Sequence, residues 1–218
     1  MGPHGAPFFM QRSGNGAARY AIYLNHMKLV IGLGNIGAHF DGTRHNVGFA
    51  VVEAIATAQG WEWLSREKFK ATVAEGILHG EKVILAKPNT YYNVSGEAAR
   101  AIRDFYKIAN SDIVVVHDEL ALPFGTVRTR GSGSDAGNNG IKSIIAHMGD
   151  DVARIRVGIA NEHLANYDAA DYVLSRLNAP EQQQWSDVLR ETLTLLHDFI
   201  DPNKKFGHTS VRIGQEQK

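Results

Sequence analysis

The chain has 218 residues, 44% of them hydrophobic, and its 23 basic and 23 acidic side chains cancel to a formal net charge of zero. This size suits one domain with a substantial core, and the balanced charge excludes a surface coated in positive charge for bulk binding of polyanions, while leaving room for a local basic patch. The lack of cysteine excludes disulfides, thiolate catalysis and cysteine metal sites and fits a reducing compartment, and no apolar run approaches the ~20 residues of a membrane span.

Residues 1–26 differ in composition from the rest of the chain. They are rich in Gly, Ala and Asn, and no acidic residue occurs before Asp41. This loosely resembles an organellar transit peptide, but the apolar run at residues 8–10 is too short for a secretory signal. The composition favours a disordered extension or cloning remnant. We therefore predict a single domain over residues 27–218 with a frayed C-terminal tail, and a cytoplasmic rather than organellar location.

Strand-like and helix-like segments alternate from Met27 onward. An apolar first strand at residues 28–33 is followed by helical spacing in VGFAVVEAIATAQG. The stretch ATVAEGILHGEKVILAKP predicts a hairpin turning at His79 and Gly80, and GEAARAIRDFYKIA predicts an amphipathic helix after Ser95. This alternation is typical of an α/β layer fold.

The second half of the chain continues the alternation. SDIVVVHDEL predicts an apolar strand ending in acids, TVRTR a short basic strand, IKSIIAHM a short helix and RIRVGIA a further strand. The polar loop GSGSDAGNNG joins the basic strand to the short helix. Pro180 stands where the first turn of a helix tolerates proline, which predicts a long amphipathic helix to about Ile200.

A glycine pattern after the first strand is a weak indication of a nucleotide cofactor. Gly32, Gly34 and Gly37 fit the dinucleotide fingerprint G-x-G-x-x-G. However, residues 41–43 insert a turn before helical spacing begins, and the acid expected about 20 residues on is missing, because Glu53 falls within the predicted helix. We therefore expect no dinucleotide cofactor.

Polar residues recur where apolar elements end. Asn35 follows the first strand, Asn93 follows PNTYY, Asp118 follows IVVVH, and Asn139 ends the glycine loop. Each has a structural explanation as a turn residue, helix cap or surface acid, and His45, near a strand-to-helix junction, also suits a helix cap or a core histidine. Strand ends in α/β sheets converge on a crevice where ligands bind, so together these side chains would make a site.

Several linked motifs carry a family resemblance. NIG with TRHNVG, then PNTYYNVSG, HDELALPFG and GNNGIK, in this order and spacing, resemble the bacterial-type peptidyl-tRNA hydrolase family from Met27 to about Ile200. The resemblance implies a monomeric α/β domain whose twisted mixed, mostly parallel sheet has helices on both faces. It also implies hydrolysis, without metal or cofactor, of the ester between a peptide and the 3′-terminal ribose of tRNA, with peptidyl-tRNA as the partner.

The resemblance assigns roles to the polar residues. His45 matches the catalytic histidine and Asp118 the acid that orients it, and the family's active-site asparagines correspond to Asn35, Asn93 and Asn139. These types suit the chemistry, because a histidine activates water near neutral pH and a carboxylate on its second nitrogen fixes the tautomer. Asparagine amides can hold a peptide backbone while ignoring its side chains, and can donate to the developing oxyanion.

Basic residues around the glycine loop are candidates for the tRNA contact. Arg128, Arg130 and Lys142 flank the loop, and the resemblance places tRNA phosphates against them. The alternative is a solvated strand edge whose charges discourage aggregation. Arg154 and Arg156 are the next candidates, since alternation points both to one face of a strand.

The chain departs from the family pattern at several pocket positions. The family usually has Pro, Tyr, Met and His where this chain has Ile36, Phe40, Tyr92 and Asn138, and it has G-I-G-x-P where this chain reads GIANEH. We place Phe40 and Tyr92 in the substrate pocket, where Phe40 lacks a hydroxyl and Tyr92 changes the wall beside Asn93. Tyr91 and Tyr92 could also stack on a terminal base, or belong to the core.

These departures leave two alternatives to peptidyl-tRNA hydrolysis. One is a relative that binds structured RNA without hydrolysing it, and the other is a different acyl hydrolase on the same scaffold. The presence of both His45 and Asp118 favours chemistry, because a protein that only binds RNA has no need of an oriented imidazole.

Overall fold

The computed structural model describes residues 27–214, so the extension predicted at residues 1–26 lies outside the described residues. The strands are β1 (Met27–Gly32), β2 (Leu64–Arg66), β3 (Ala71–Leu78), β4 (Glu81–Pro88), β5 (Ile113–Pro123), β6 (Thr126–Arg130), β7 (Ala153–Ala160) and β8 (Ser210–Arg212). The α-helices are α1 (Val47–Gln59), α2 (Ser95–Tyr106), α3 (Asn139–Met148), α4 (Ala169–Leu174) and α5 (Ala179–Ile200). Strands and helices alternate as predicted.

All these strands form one mixed sheet in the order β2-β3-β4-β1-β5-β7-β6-β8. At its centre, β4 with β1, β1 with β5, and β5 with β7 pair in parallel. The pairs toward both margins are antiparallel. The mixed sheet is confirmed. We expected mostly parallel pairing, but three strand pairs are parallel and four are antiparallel. Short connections, such as the two-residue turn at His79 and Gly80, reverse the chain at the margins.

Helices cover both faces of the sheet, as predicted. On one face, α1, α4 and α5 contribute side chains such as Val52, Tyr172 and Leu196 to a buried cluster. On the other face, α2 and α3 contribute Ile102 and Ile144. The central strands are buried on both sides, which explains their nearly continuous apolar sequences.

The tail beyond α5, which was expected to fray, pairs with the sheet over Ser210–Arg212. Its β8 pairs antiparallel with β6, so that Val211 lies opposite Val127. Further along, the backbone N–H of Ile213 donates to the carbonyl of Gly125 at 2.8 Å. Without these contacts, the outer edge of β6 would present unpaired backbone groups, which is the physical reason for the tail to dock there.

Candidate active site

The predicted site lies beyond the carboxyl ends of the parallel strands β4 and β1, beside the part of β5 that extends past the end of β1. Asn35 and His45 lie on the connection that follows β1, and Tyr92 lies in a short 3₁₀ turn after β4. Asp118 lies two residues beyond Val116, which pairs with the last residue of β1. Because these strand ends are neighbours in the sheet, side chains far apart in the sequence meet in one crevice.

His45 and Asp118 form a hydrogen-bonded pair. The distance from His45 Nδ1 to Asp118 Oδ2 is 3.0 Å, and the exposed fraction is 16% for the His45 side chain and 2% for Asp118. An ionised carboxylate only accepts, so Nδ1 carries the proton and Nε2 keeps its lone pair. Gly48 brings the start of α1 close to the sheet, since a Cβ there would collide with backbone oxygens of Val116 and Leu33.

Tyr92 lies beneath this pair. Its ring stacks on the His45 imidazole, with the centroids 3.6 Å apart and the planes 17° apart. Its hydroxyl donates to Asp118 Oδ1, the carboxylate oxygen that His45 does not use. Burial, followed by the charge of Asp118, raises the pKa of Tyr92 well above its ordinary value, so the hydroxyl remains a donor.

A second histidine adjoins Asp118 and is poorly suited to act as the base. His117 is buried, and its Nδ1 lies 2.7 Å from the backbone carbonyl oxygen of Asp118, to which it donates. Burial lowers the pKa of His117, which favours the neutral ring. The partly exposed His45 is therefore the imidazole that water can reach.

Asn35 connects two turns of the crevice through hydrogen bonds of its backbone and side chain. The side chain of Asn46 holds both backbone groups of Asn35, accepting from its N–H and donating to its carbonyl, each at 2.9 Å. The Oδ1 of Asn35 accepts from the backbone N–H of Tyr92 at 2.9 Å. These bonds tie the loop after β1 to the His45 turn and to the Tyr92 turn, and they leave the Asn35 Nδ2 as the part of the side chain that can meet a ligand.

The turn that carries His45 is anchored by its neighbour Arg44. The Arg44 guanidinium donates to both carboxylate oxygens of Glu181 at 2.8 and 2.6 Å, and both side chains are buried. It also donates to the carbonyl of Ile159 and lies 4.5 Å from the ring centroid of Tyr172. The His45 turn is thus attached to the first turn of α5 by a bidentate ion pair.

Comparison with known proteins gives a match to one protein family. A family model described as "Peptidyl-tRNA hydrolase" matches residues 29–216. The chain belongs to the peptidyl-tRNA hydrolase family. The resemblance inferred from the motifs is confirmed.

Curated relatives and solved structures support the assignment. A peptidyl-tRNA hydrolase from Exiguobacterium sibiricum is 43% identical over 176 residues, covering 80% of this chain and 94% of that protein. One from Ligilactobacillus salivarius is 41% identical over 188 residues, covering 86% of this chain and 100% of that protein. The crystal structure of the enzyme from Acinetobacter baumannii matches with a TM-score of 0.67 at 29% identity, covering 83% of this chain and 97% of that one.

The residues that the family resemblance assigned to the pocket differ in their placement. Asn93 and Asn139 are exposed, next to Tyr92 and at the start of α3 respectively. Phe40 is half-buried, and its ring packs on His39 with centroids 3.8 Å apart. Tyr92, expected on the pocket wall, is instead buried behind His45.

Sequence reasoning missed three residues that order this peptidyl-tRNA hydrolase crevice: Arg44, Asn46 and Glu181. Arg44 and Asn46 flank His45 in the TRHNVG motif, so their position next to the candidate base was an available signal. Glu181 follows Pro180 in the first turn of α5, where a glutamate is a common helix-capping residue. Its second role, as the partner of Arg44, depends on a contact across 137 residues of sequence.

The basic residues predicted to meet tRNA fall into two groups. Arg128 lies opposite Arg156 and Arg130 opposite Arg154 in the pairing of β6 with β7, so the four share one face of the sheet. Arg154 is buried and donates to carbonyls of the glycine loop, and Arg156 pairs with Glu119 at 2.9 Å. Burial and the neighbouring positive charges lower the pKa of Arg154. The guanidinium groups of Arg154 and Arg156 are therefore already bound by other groups of the protein.

Arg128 and Lys142 are exposed, and Arg130 is partly exposed. Lys142 lies on α3, which packs on the same face of the sheet as the arginines. Together, Arg128, Arg130 and Lys142 form a cationic face.

The described residues were also searched for metal-binding clusters and membrane-spanning helices. Among residues 27–214, no three His, Asp or Glu side chains cluster as ligands of a metal ion would. Within the same residues, no helix is long and apolar enough to cross a membrane.

Proposed function

We propose that this protein hydrolyses the ester between a peptide, or an N-acyl-amino acid, and the 3′-terminal ribose of tRNA, and so recycles peptidyl-tRNA released from ribosomes. The observation that carries the proposal is the 3.0 Å contact between His45 Nδ1 and Asp118 Oδ2, just beyond the carboxyl end of β1. This contact leaves the Nε2 of a partly exposed imidazole toward the crevice. A positioned imidazole of this kind is suited to remove a proton from water.

The catalytic step follows from this arrangement. His45 Nε2 takes a proton from a water molecule as the water oxygen attacks the ester carbonyl, and Asp118 stabilises the imidazolium that forms. The tetrahedral intermediate then expels the ribose 3′ oxygen, and the imidazolium returns the proton to it. The products are a free carboxylate on the peptide and an intact 3′ hydroxyl on the tRNA.

Three amides are proposed to hold the substrate: Asn35, Asn93 and Asn139. The backbone of Asn35 is clamped by Asn46, so its amide has a defined place before substrate arrives. Asn93, next to Tyr92, and Asn139, the first residue of α3, are exposed, so their amides can meet a peptide backbone. Amides that bind only backbone groups suit a substrate whose amino-acid sequence varies.

The tRNA is proposed to contact the cationic face. Its residues lie on the face of the sheet that also carries the glycine loop, whose carbonyls Arg154 holds. Cations that lie along one face bind phosphates and release counterions, largely independent of base sequence. The monomeric state stays a prediction of the family resemblance, and the cytoplasmic location stays a prediction of the sequence composition.

The two alternatives make different predictions. A relative that only binds RNA would gain nothing from a buried carboxylate held against an imidazole, since ordering the pair costs stability and adds no phosphate contact. A different acyl hydrolase would keep the catalytic pair but would not depend on the cationic face. The structure therefore favours a hydrolase over a protein that only binds RNA. Whether the substrate is peptidyl-tRNA or another acyl ester must be decided by assaying both.

The experiment is release of an acyl-amino acid from N-acylated aminoacyl-tRNA by purified protein, with and without EDTA. We expect release by the wild-type protein, equal activity in EDTA, and loss of activity in His45→Ala. The same ester on a small alcohol in place of tRNA is the comparison that separates the two hydrolases. Lack of release from tRNA at high enzyme concentration would refute the proposal, and loss of activity only with EDTA would refute its metal-free mechanism.

A further inference from the structure

Two departures from the family pattern, Tyr92 and Asn138, meet in this structure. Asn138 Nδ2 donates to the Tyr92 hydroxyl oxygen at 3.0 Å and to the backbone carbonyl of Asp118 at 3.1 Å. The family usually has methionine and histidine at these positions, so neither side chain in this contact is the usual one. The contact adjoins the catalytic pair but has no part in the mechanism proposed above.

The Tyr92 hydroxyl satisfies an oxygen that would otherwise be costly to bury. Asp118 is 2% exposed, and its Oδ2 is used by His45. The Tyr92 hydroxyl donates to the remaining Oδ1. A carboxylate held at both oxygens cannot rotate about its terminal bond, so the direction of the bond to His45 is also fixed.

The Tyr92 ring restricts the orientation of the imidazole. The two rings lie 3.6 Å apart and nearly parallel, so tilting the His45 ring would bring it into contact with Tyr92. Tyr92 is itself held from the other side, because a Cβ at Gly140 in the first turn of α3 would collide with its ring. The ring is therefore packed between His45 and α3, which leaves it little room to move.

Asn138 orients the hydroxyl. Its Nδ2 donates to the Tyr92 oxygen, so the hydroxyl proton is directed away from Asn138 and toward Asp118. Its Oδ1 accepts from the backbone N–H of Ile141 at 3.0 Å and caps α3, which fixes the amide itself. The start of α3 is thus connected through one amide and one hydroxyl to Asp118.

We infer that Tyr92 is a positioning residue of His45 and Asp118, and that Asn138 acts through the Tyr92 hydroxyl. This inference rests on the proposed function, because it assigns Tyr92 and Asn138 to the base that the proposal names. Tyr92 contacts no substrate in this assignment. Its effect therefore falls on kcat and not on substrate binding.

The test is Tyr92→Phe, which removes the hydroxyl and keeps the stacked ring. Losing one hydrogen bond to a charged group predicts a fall in kcat of roughly 10-fold with KM changed less than about twofold. Tyr106→Phe is the matched control, since the Tyr106 hydroxyl also donates to a carboxylate, Glu75 at 3.0 Å, near the other end of α2. The control should leave both kinetic constants unchanged.

Asn138→Ser provides the second arm, because serine keeps a helix cap but is too short to reach the Tyr92 oxygen. We expect the same direction of change in kcat, and no additional loss when it is combined with Tyr92→Phe. If the two losses instead multiply, Asn138 does not act through the hydroxyl. Should Tyr92→Phe fail to fold, wild-type kcat in Asn138→Ser would overturn the inference.

The outcomes separate this inference from the proposed function. If the wild-type protein releases no acyl-amino acid, the proposed function fails, and if an active wild type is matched by His45→Ala, the assignment of His45 as the base fails. If the wild-type protein and His45→Ala behave as proposed but folded Tyr92→Phe keeps the wild-type kcat, only the positioning role is refuted. A large rise in KM with unchanged kcat would also refute it, because that result would place Tyr92 against the substrate.

Discussion

Glu181→Gln tests whether the buried ion pair behind His45 holds the catalytic turn in place. The Glu181 carboxylate accepts from Arg44, from Asn161 Nδ2 at 2.7 Å and from the backbone N–H of Asn178 at 2.8 Å. Glutamine keeps the size of the side chain but turns one acceptor into a donor and leaves Arg44 without its counter-charge. Arg44 is 3% exposed, so water cannot replace the lost partner.

The expected loss of stability is large for a single polar substitution. Removing one partner of a buried pair costs about 3 to 5 kcal/mol, and because glutamine retains one acceptor oxygen we expect about 3 kcal/mol. For a chain of this length that loss corresponds to a fall in Tm of roughly 6 to 12 °C. Because the His45 turn loses its anchor, kcat should also fall several-fold at temperatures where the variant is folded.

The measurement is urea unfolding followed by circular dichroism, together with kcat on N-acylated aminoacyl-tRNA. Glu97→Gln is the control, because Glu97 pairs with Lys70 at 2.7 Å on the exposed surface. Such surface pairs contribute less than about 1 kcal/mol. A Glu181→Gln variant no less stable than Glu97→Gln, or one with wild-type kcat, would refute the anchoring argument.

The pH dependence of the same variant supplies a second check. Burial alone would raise the pKa of Glu181, but hydrogen bonds from Arg44, the Asn178 backbone and Asn161 lower it below its ordinary value. A carboxyl whose pKa is lower in the folded than in the unfolded chain stabilises the fold above the unfolded pKa and loses that contribution as pH falls. The difference in unfolding free energy between wild type and Glu181→Gln should therefore be largest near neutral pH and shrink below about pH 4.

Three further predictions concern the site directly. His45→Ala should lower kcat by roughly 10²- to 10⁴-fold without loss of folding or tRNA binding, and Asp118→Asn should act in the same direction; near wild-type turnover in His45→Ala would mean that the base is another group. Asn93→Ala should lower kcat by up to about 10²- to 10³-fold if its amide meets the developing oxyanion, whereas a rise in KM alone would assign it to peptide binding. Changing all three residues of the cationic face to Gln should raise KM for full peptidyl-tRNA several-fold, while a short 3′-terminal fragment is cleaved almost normally. The slope of log binding constant against log salt concentration should flatten by about one unit per lost phosphate contact. Equal effects on both substrates would return these residues to the role of a solvated surface.

Much of the fold could be predicted because its central elements have strong local signals. The apolar runs of β1 and β5 and the spacing of α1 and α5 follow from burial, which a single sequence records directly. The missed elements have weak signals. β2 has three exposed residues, α4 has six residues, and β8 is a three-residue strand whose place depends on the free edge of β6.

The candidate catalytic residues were accessible for a different reason. His45 and Asp118 have side chains whose chemistry suits ester hydrolysis, and they lie in motifs with family-wide spacing. Arg154 and Arg156 show the limit of reasoning from sequence patterns. Alternation along β7 correctly placed both side chains on one face of the sheet. It could not show that the glycine loop and Glu119 already occupy them.

The departures from the family pattern show the same limit more sharply. Considered one at a time, Tyr92 removes a methionine from the pocket wall and Asn138 removes an imidazole, so each predicts a loss. In the structure, the Asn138 amide and the Tyr92 hydroxyl bond to each other and to Asp118, so two apparent losses form one ordered contact. Tyr92 and Asn138 are 46 residues apart, and no spacing rule connects them. Whether a substitution weakens a site therefore depends on which other substitutions touch it, and that requires knowing how the turn after β4 packs against the start of α3.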